Sequence, residues 1–191
     1  MLKFDHVSFS YGDKKILSDF SLHLQKGEIL AIMGPSGFGK STILNLAAGL
    51  LKPDNGEIHC QTDHISYVFQ EPRLFPWLNV EKNVSAVLNS KTDDLGKATL
   101  ALEFVNMKES AALFPDELSG GMKSRVSLAR AIAYDGDLYL LDEPFAALDE
   151  ELREALSSKL RTHIKERGAS CIFITHHLAD AQAFADNIIT I

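Results

Sequence analysis

The nine residues GPSGFGKST, 34–42, fit the spacing G-x-x-x-x-G-K-[ST] with Gly34, Gly39, Lys40 and Ser41. Glycines there let backbone N–H groups curl around phosphate oxygens, and a helix starting behind them adds the positive end of its dipole. Lys40 is then aimed at the β- and γ-phosphates of a nucleotide, and the Ser41 hydroxyl at a Mg²⁺ ion. The whole stretch, Gly34, Pro35, Ser36, Gly37, Phe38, Gly39, Lys40, Ser41 and Thr42, is assigned to nucleotide binding. Further along, LYLLDEP, 138–144, is an apolar run ending in Asp142. A strand ending there places the Asp142 carboxylate at the sheet edge where the glycine loop also lies, so it can hold Mg²⁺ directly or through water. Glu143 follows it, in reach of the γ-phosphate, as the group to orient or deprotonate an attacking water. By itself an Asp-Glu pair would say only that a strand ends; after a phosphate loop, metal binding is the favoured reading.

A third stretch, ELSGGMKSR at 117–125, opens a helix whose apolar residues Met122, Val126, Ala129 and Ala133 share one face, widened by Ile132. Ser119 can cap that helix, and Gly120 and Gly121 would let another group come close to the backbone. Nothing adjacent in the sequence supplies that group.

The elements around these motifs must bring them together. Leu2 to Phe9 and Ile16 to Leu24 roughly alternate polar and apolar residues, which predicts strands of an antiparallel layer. Glu28 to Met33 is a short apolar run into the glycines, and Ser41 to Leu51 is helical in composition and ends before Pro53. Strands are expected at 56–60, 65–69, 138–141, 171–175 and 187–191, with helices at 95–105, 152–164 and 178–185. Between 71 and about 133 strand signals almost vanish, so this region is expected to be a helical insert. Elsewhere strands alternate with helices, which argues for a parallel sheet with crossover helices.

A chain of 191 residues, 46% hydrophobic and 24% charged, has ordinary globular composition and is expected to form one domain. The net charge of -7 gives no general electrostatic reason to expect nucleic acid as a partner, so an anionic ligand needs a local site. Two distant cysteines, Cys60 and Cys171, do not make a disulfide framework and fit a reducing compartment. The N-terminus lacks the pattern of a signal peptide, and the longest apolar run, ILNLAAGLL, is far too short to span a bilayer.

With GPSGFGKST, ELSGG and LYLLDEP in this order, the chain resembles the nucleotide-binding subunit of ABC transporters over nearly its whole length. The resemblance implies an α/β, P-loop NTPase fold with a parallel-sheet core (about 1–70 and 134–191), an N-terminal antiparallel β layer and an inserted helical subdomain (about 71–133). It implies ATP and Mg²⁺ as cofactors. Tyr11, in SYGD, looks like the aromatic that stacks on adenine, against the plainer reading of a strand-end tyrosine. Gln70 is similar to the family's glutamine that touches Mg²⁺ and the water. Asp149 looks like the residue of a loop crossing to a second subunit, or is an ordinary helix N-cap. His176, in FITHH, resembles the histidine that contacts the γ-phosphate. The chain departs from the family's pattern at Phe38, at Met122 where glutamine commonly follows LSGG, at Lys123 and Ser124 beyond it, and at His177. It also stops soon after the last expected strand, which puts a C-terminal regulatory element in doubt.

The implied mechanism is ATP-driven closure of a head-to-tail homodimer, each ATP lying between the phosphate loop of one copy and Ser119, Gly120 and Gly121 of the other. Integral-membrane permease subunits, with a substrate-binding protein, are the expected further partners. They would hold the chain in the cytoplasm against the inner face of the membrane. EPRLFPWLNVEKNV, 71–84, carries Phe75, Trp77 and Leu78, which either form an exposed surface for a partner's helix or pack inside the helical region. The wording FPWLNV is similar to importers of the nitrate, sulfonate and taurine group, which leans towards import of a small anion or related nutrient. A soluble non-transport ABC ATPase would be expected to carry a long coiled-coil insertion or a second cassette. A small-molecule kinase leaves LSGG, Gln70 and His176 unexplained, and Glu143 and His176 argue against an inactive scaffold.

Overall fold

The computed structural model describes residues 1–35, 37–88 and 94–191, apart from the side chains of 94 and 95. The phosphate-loop residue Ser36 lies outside the described residues. Strands β1 (Leu2–Tyr11) and β2 (Lys14–Leu24) form an antiparallel hairpin across Gly12, whose φ of 56° suits a two-residue turn. β4 (Asn55–Cys60) pairs antiparallel with the other edge of β1, giving the order β2-β1-β4. A second, five-stranded sheet has the order β5-β6-β7-β3-β8, from β3 (Ile29–Met33), β5 (Ile65–Val68), β6 (Leu138–Asp142), β7 (Ser170–Ile174) and β8 (Asn187–Thr190). Every pairing in it is parallel.

Side chains alternate across a strand, and here both faces are covered. Leu30, Ile32, Leu138, Leu140, Ile172 and Ile174 face the antiparallel layer and helix α1 (Lys40–Ala47). The intervening Ile29, Ala31, Tyr139, Leu141, Cys171 and Phe173 face the other way, into a core shared with α5 (Glu150–Glu166) and α6 (Leu178–Phe184). That core runs on without a break into the insert, where Val80, Val84, Leu102 and Val126 come from α2 (Val80–Ser85), α3 (Asp94–Phe104) and α4 (Gly120–Tyr134).

Helix α1 ends sooner than its composition predicts. Gly49 takes a φ of 69°, with hydrogen bonds from Gly49 N to Leu46 O and from Leu50 N to Asn45 O. This is a Schellman stop, and it leaves Leu50 exposed rather than helical.

Candidate functional site

Because the five strands are parallel, their C-terminal ends share one sheet edge, and the loops leaving them meet there. β3 delivers the phosphate loop, β5 Gln70, β6 Asp142 and Glu143, and β7 His176. The loop curls back so that Lys40 Nζ, nearly buried, donates to Gly34 O and Pro35 O, both at 2.7 Å. Gly39, at φ 87°, stands at the N-cap of α1, and a Cβ there would lie 2.6 Å from Ile16 Cγ2, so any other residue would be strained and would push Ile16 aside. With no capping side chain and no acid in its first turn, α1 presents an uncompensated positive end.

Asp142 is only 4% exposed. Burial lifts its carboxyl above the usual range, and the charge of Glu143 adds to the rise. A hydrogen bond from Ser41 and the charges of Lys40 and His176 oppose it. Glu143 holds a left-handed backbone, φ 49°, fixed by its N–H donating to Ile174 O at 3.1 Å. A non-glycine residue in that region costs about 1–3 kcal/mol, which such anchoring has to offset. The conformation turns the carboxylate towards β7, where Glu143 Oε1 lies 2.6 Å from His176 Nε2. Beneath this loop Phe145 packs on Phe173 and Phe184. His177, next in the chain, donates its N–H to Thr175 Oγ1, and both histidines line a small pocket with Glu143 and Asp180.

A cleft of about 350 Å³ opens over this edge, lined by Tyr11, Gly37, Gly39, Lys40, Ser41, Thr42, Gln70 and Glu143. The donor set fits a polyphosphate and a divalent cation. A lysine and a bare helix end face the cleft, and a hydroxyl bonds to the buried Asp142 carboxylate. Tyr11, half exposed and edge-on to Phe9, stands at one end of the cleft. Phe38 projects into solvent, 58% exposed. Lys14 and Ile16 also line the cleft, which the motifs did not reveal. The signal was the hairpin register, since Lys14 is the partner of Tyr11 and Ile16 shares its face.

Ser119, Gly120, Gly121 and Asp149 are not among the cleft's lining residues. Ser119 caps α4, accepting from Met122 N at 3.3 Å, and Asp149 caps α5, accepting from Leu152 N at 3.0 Å. Around Gly120 an added Cβ would meet nothing within 4 Å, whereas at Gly121 it would lie 2.7 Å from Ala147 O of the same chain. One glycine is thus explained by the fold of the single chain and the other is not.

A separate groove of about 530 Å³ runs between β5, the end of α2 and α4, lined by Tyr67, Phe69, Arg73, Phe75, Val87 and Arg130 among others. Arg73 stacks over the Phe69 ring at 4.0 Å, and Arg130 donates to the carbonyls of Pro72 and Arg73. Phe75 packs against Trp77, which is 70% exposed, and Leu78 is half-buried, so the aromatic part of the loop lies at the surface. The loop's shape is held from below by Asn83, a fully buried amide that accepts from Phe75 N and donates to the carbonyls of Phe75, Leu78 and Asn79.

Among known proteins, the family model described as ABC transporter matches residues 17–146. The chain is 37% identical over 206 residues to the Fe(3+) ions import ATP-binding protein FbpC 2 of Haemophilus influenzae, covering 98% of this chain and 58% of that protein. It is 38% identical to the thiamine import ATP-binding protein ThiQ of Vibrio parahaemolyticus, covering 98% of this chain and 85% of that one. It is also 37% identical to a sulfate/thiosulfate import ATP-binding protein CysA of Bacillus cereus, covering 96% and 56%. It therefore spans a little under three-fifths of the length of the FbpC 2 and CysA relatives, and most of ThiQ. Among solved structures, the ATP-binding cassette MJ0796, a dimer in a post-hydrolysis state bound to ADP and Pi, superposes with a TM-score of 0.93 at 29% identity. That match covers all of this chain and 94% of the other.

Proposed function

This chain belongs to the ABC transporter family, and from that premise we propose that it is the ATP-hydrolysing subunit of an importer of a small nutrient, working as a head-to-tail pair of copies closed by ATP. The observation that carries the proposal is an incomplete site. One cleft gathers Tyr11, Lys40, Ser41, Gln70 and Glu143, while Ser119, Gly120 and Gly121, the other residues with phosphate-binding chemistry, lie outside it. A second copy supplying its own Ser119–Gly121 to the open side of the cleft completes the set, and the open space at Gly120 is where a phosphate would approach.

In this reading Tyr11 stacks on adenine, and the stretch Gly34 to Thr42 wraps the phosphates. Lys40 is drawn from its loop carbonyls to the β- and γ-phosphates. A Mg²⁺ ion held by Ser41, Asp142 and Gln70 would neutralise charge on the phosphate oxygens. Glu143 accepts the proton of the attacking water, and His176, 2.6 Å from it, orients that carboxylate and contacts the γ-phosphate. Asp149 reaches across to the facing copy. Residues 1–191 act as one nucleotide-binding domain, with about 71–133 as its helical part.

Integral-membrane permease subunits are the proposed partners, since no helix among the described residues is long and apolar enough to cross a membrane. The groove beside Phe69, with Trp77 standing out next to it, suits an amphipathic permease segment. The chain would then sit in the cytoplasm against the membrane's inner face, with a substrate-binding protein on the other side. The printed cargoes of the relatives are iron(III), thiamine and sulfate or thiosulfate, so small nutrients are the common class. The similarity of FPWLNV to nitrate, sulfonate and taurine importers favours an anion within it.

The test is Glu143→Gln with ATP and Mg²⁺. Hydrolysis is expected to fall by about 10²–10⁴-fold with ATP binding kept, and the chain to run as a dimer in light scattering. A variant that stays monomeric at saturating ATP would falsify the paired-copy mechanism.

A further inference from the structure

Two contacts inside the single chain join places that the proposed mechanism treats separately. The first is the approach of Gly121 to Ala147 O, close enough that a Cβ would sit 2.7 Å from it, with Leu148 Cδ2 alongside. The LSGG segment therefore rests directly on the loop 146–149. That loop passes without slack into α5, because Asp149 caps the helix and Arg153 N bonds to Asp149 O at 2.9 Å.

The second contact is one turn into α5. Arg153 Nε lies 3.5 Å from Asp180 Oδ1, in the first turn of α6, with side chains only 22% and 14% exposed. This is an ion pair without a hydrogen bond, since Arg153 Nε is a buried donor with no acceptor in bonding geometry. No catalytic role assigned above uses either residue. α6 is the helix directly behind His176, and His176 holds Glu143.

We propose that Arg153 and Asp180 are positioning residues that tie the loop touching LSGG to His176. A phosphate reaching Ser119–Gly121 from the partner's cleft then sets the pose of this copy's own His176 and Glu143. This rests on the paired-copy reading above. Its content is a mechanical one: a buried charge pair is costly to separate, so α5 and α6 move as a unit when the loop is pressed. The Phe145, Phe173 and Phe184 rings hold the same region by packing and remain when the charges are removed, which keeps the variants folded.

The experiment compares Arg153→Gln, Asp180→Asn and the reversed pair R153D/D180R with the unsubstituted chain, measuring ATP affinity, kcat, the Hill coefficient for ATP and Tm. The single variants are expected to bind ATP within about twofold of the unsubstituted chain, yet to lose about twofold to thirtyfold in kcat, with a Hill coefficient closer to one. The reversed pair is expected to regain most of the loss. If Arg153→Gln melts too low to assay, Asp180→Asn supplies the charge-removing comparison, and Arg153→Lys, which keeps the charge, is expected to retain most of kcat. A chain that dimerises and hydrolyses ATP while both single variants keep kcat and Hill coefficient overturns the link alone. A kcat loss matched by an equal loss of ATP affinity also overturns it. An unsubstituted chain that neither dimerises nor hydrolyses overturns the paired-copy reading and this one with it.

Discussion

Gly120 and Gly121 adjoin in sequence but differ in what surrounds them. At Gly121 a methyl group would press on Ala147 O, so Gly121→Ala is expected to cost about 1–3 kcal/mol in a thermal or urea melt. At Gly120 the space is open, and alanine in a helix is worth up to about 1 kcal/mol over glycine. Gly120→Ala is therefore expected to keep or raise Tm while losing ATP-dependent pairing in light scattering. Normal pairing in Gly120→Ala would remove the phosphate approach as the reason for that glycine. The residues of the cleft divide along a similar line. Gly37, Gly39 to Thr42 and Glu143 could be picked out in the sequence because each motif is contiguous and its chemistry depends on adjacent side chains. Lys14 was not, because its place depends on hairpin register. The pairing of His176 with Glu143 was not either, since it depends on one left-handed residue that has no sequence signal when it is a glutamate.

At the scale of elements, the periodic segments were read correctly in kind, and the ends were set by local chemistry. Helix α1 looked longer because Leu50 and Leu51 continue its apolar pattern, yet the left-handed Gly49 stops it. The loop 75–79 gave no regular pattern at all, and its order comes from one asparagine. Asn83 replaces the hydrogen bonds a helix or strand would have given to Phe75, Leu78 and Asn79. Asn83→Ala takes the side-chain partner from Phe75 N–H and Leu78 C=O, at a cost of about 1–3 kcal/mol, while Phe75 O and Asn79 O keep their backbone donors. Trp77 is the chain's one tryptophan, so its emission reports on the loop alone. The expected result is altered quenching and faster emission depolarisation in Asn83→Ala, with nucleotide affinity unchanged. Identical tryptophan emission in the variant would mean that the loop is held by something else.

Across the whole molecule, the end of the sheet away from the cleft is held by charge. Asp186 accepts from Ile29 N at 2.8 Å and from Arg161 and Lys165 of α5, which fixes β3, α5 and the start of β8 to one another. Partial burial works to raise this carboxyl, but the hydrogen bonds from Lys165, Ile29 N–H and Arg161 outweigh it and hold it below the usual carboxylate range. An acid depressed in the folded chain lends stability that is complete above its unfolded value of about 3.9 and is lost as pH falls through the folded one. Melts taken from pH 5 down to pH 2 should therefore show an acid loss, and Asp186→Asn should be less stable at neutral pH with a shallower acid limb. An unchanged limb would assign the acid loss to other carboxylates. The parallel sheet was legible from the alternation of strands and helices; its order was not, because pairing partners leave no mark on each other in one sequence. That order has a consequence for how the chain acquires its shape. The β1–β2 hairpin closes locally, but the contacts beside β3 span far more of the chain, 157 residues between Ile29 N and Asp186 Oδ2. During synthesis the strand carrying the phosphate loop thus has neither neighbour until β7 and β8 have been made. Loop closure over such a span is slow, so chaperone dependence and aggregation-prone intermediates should concentrate in that interval.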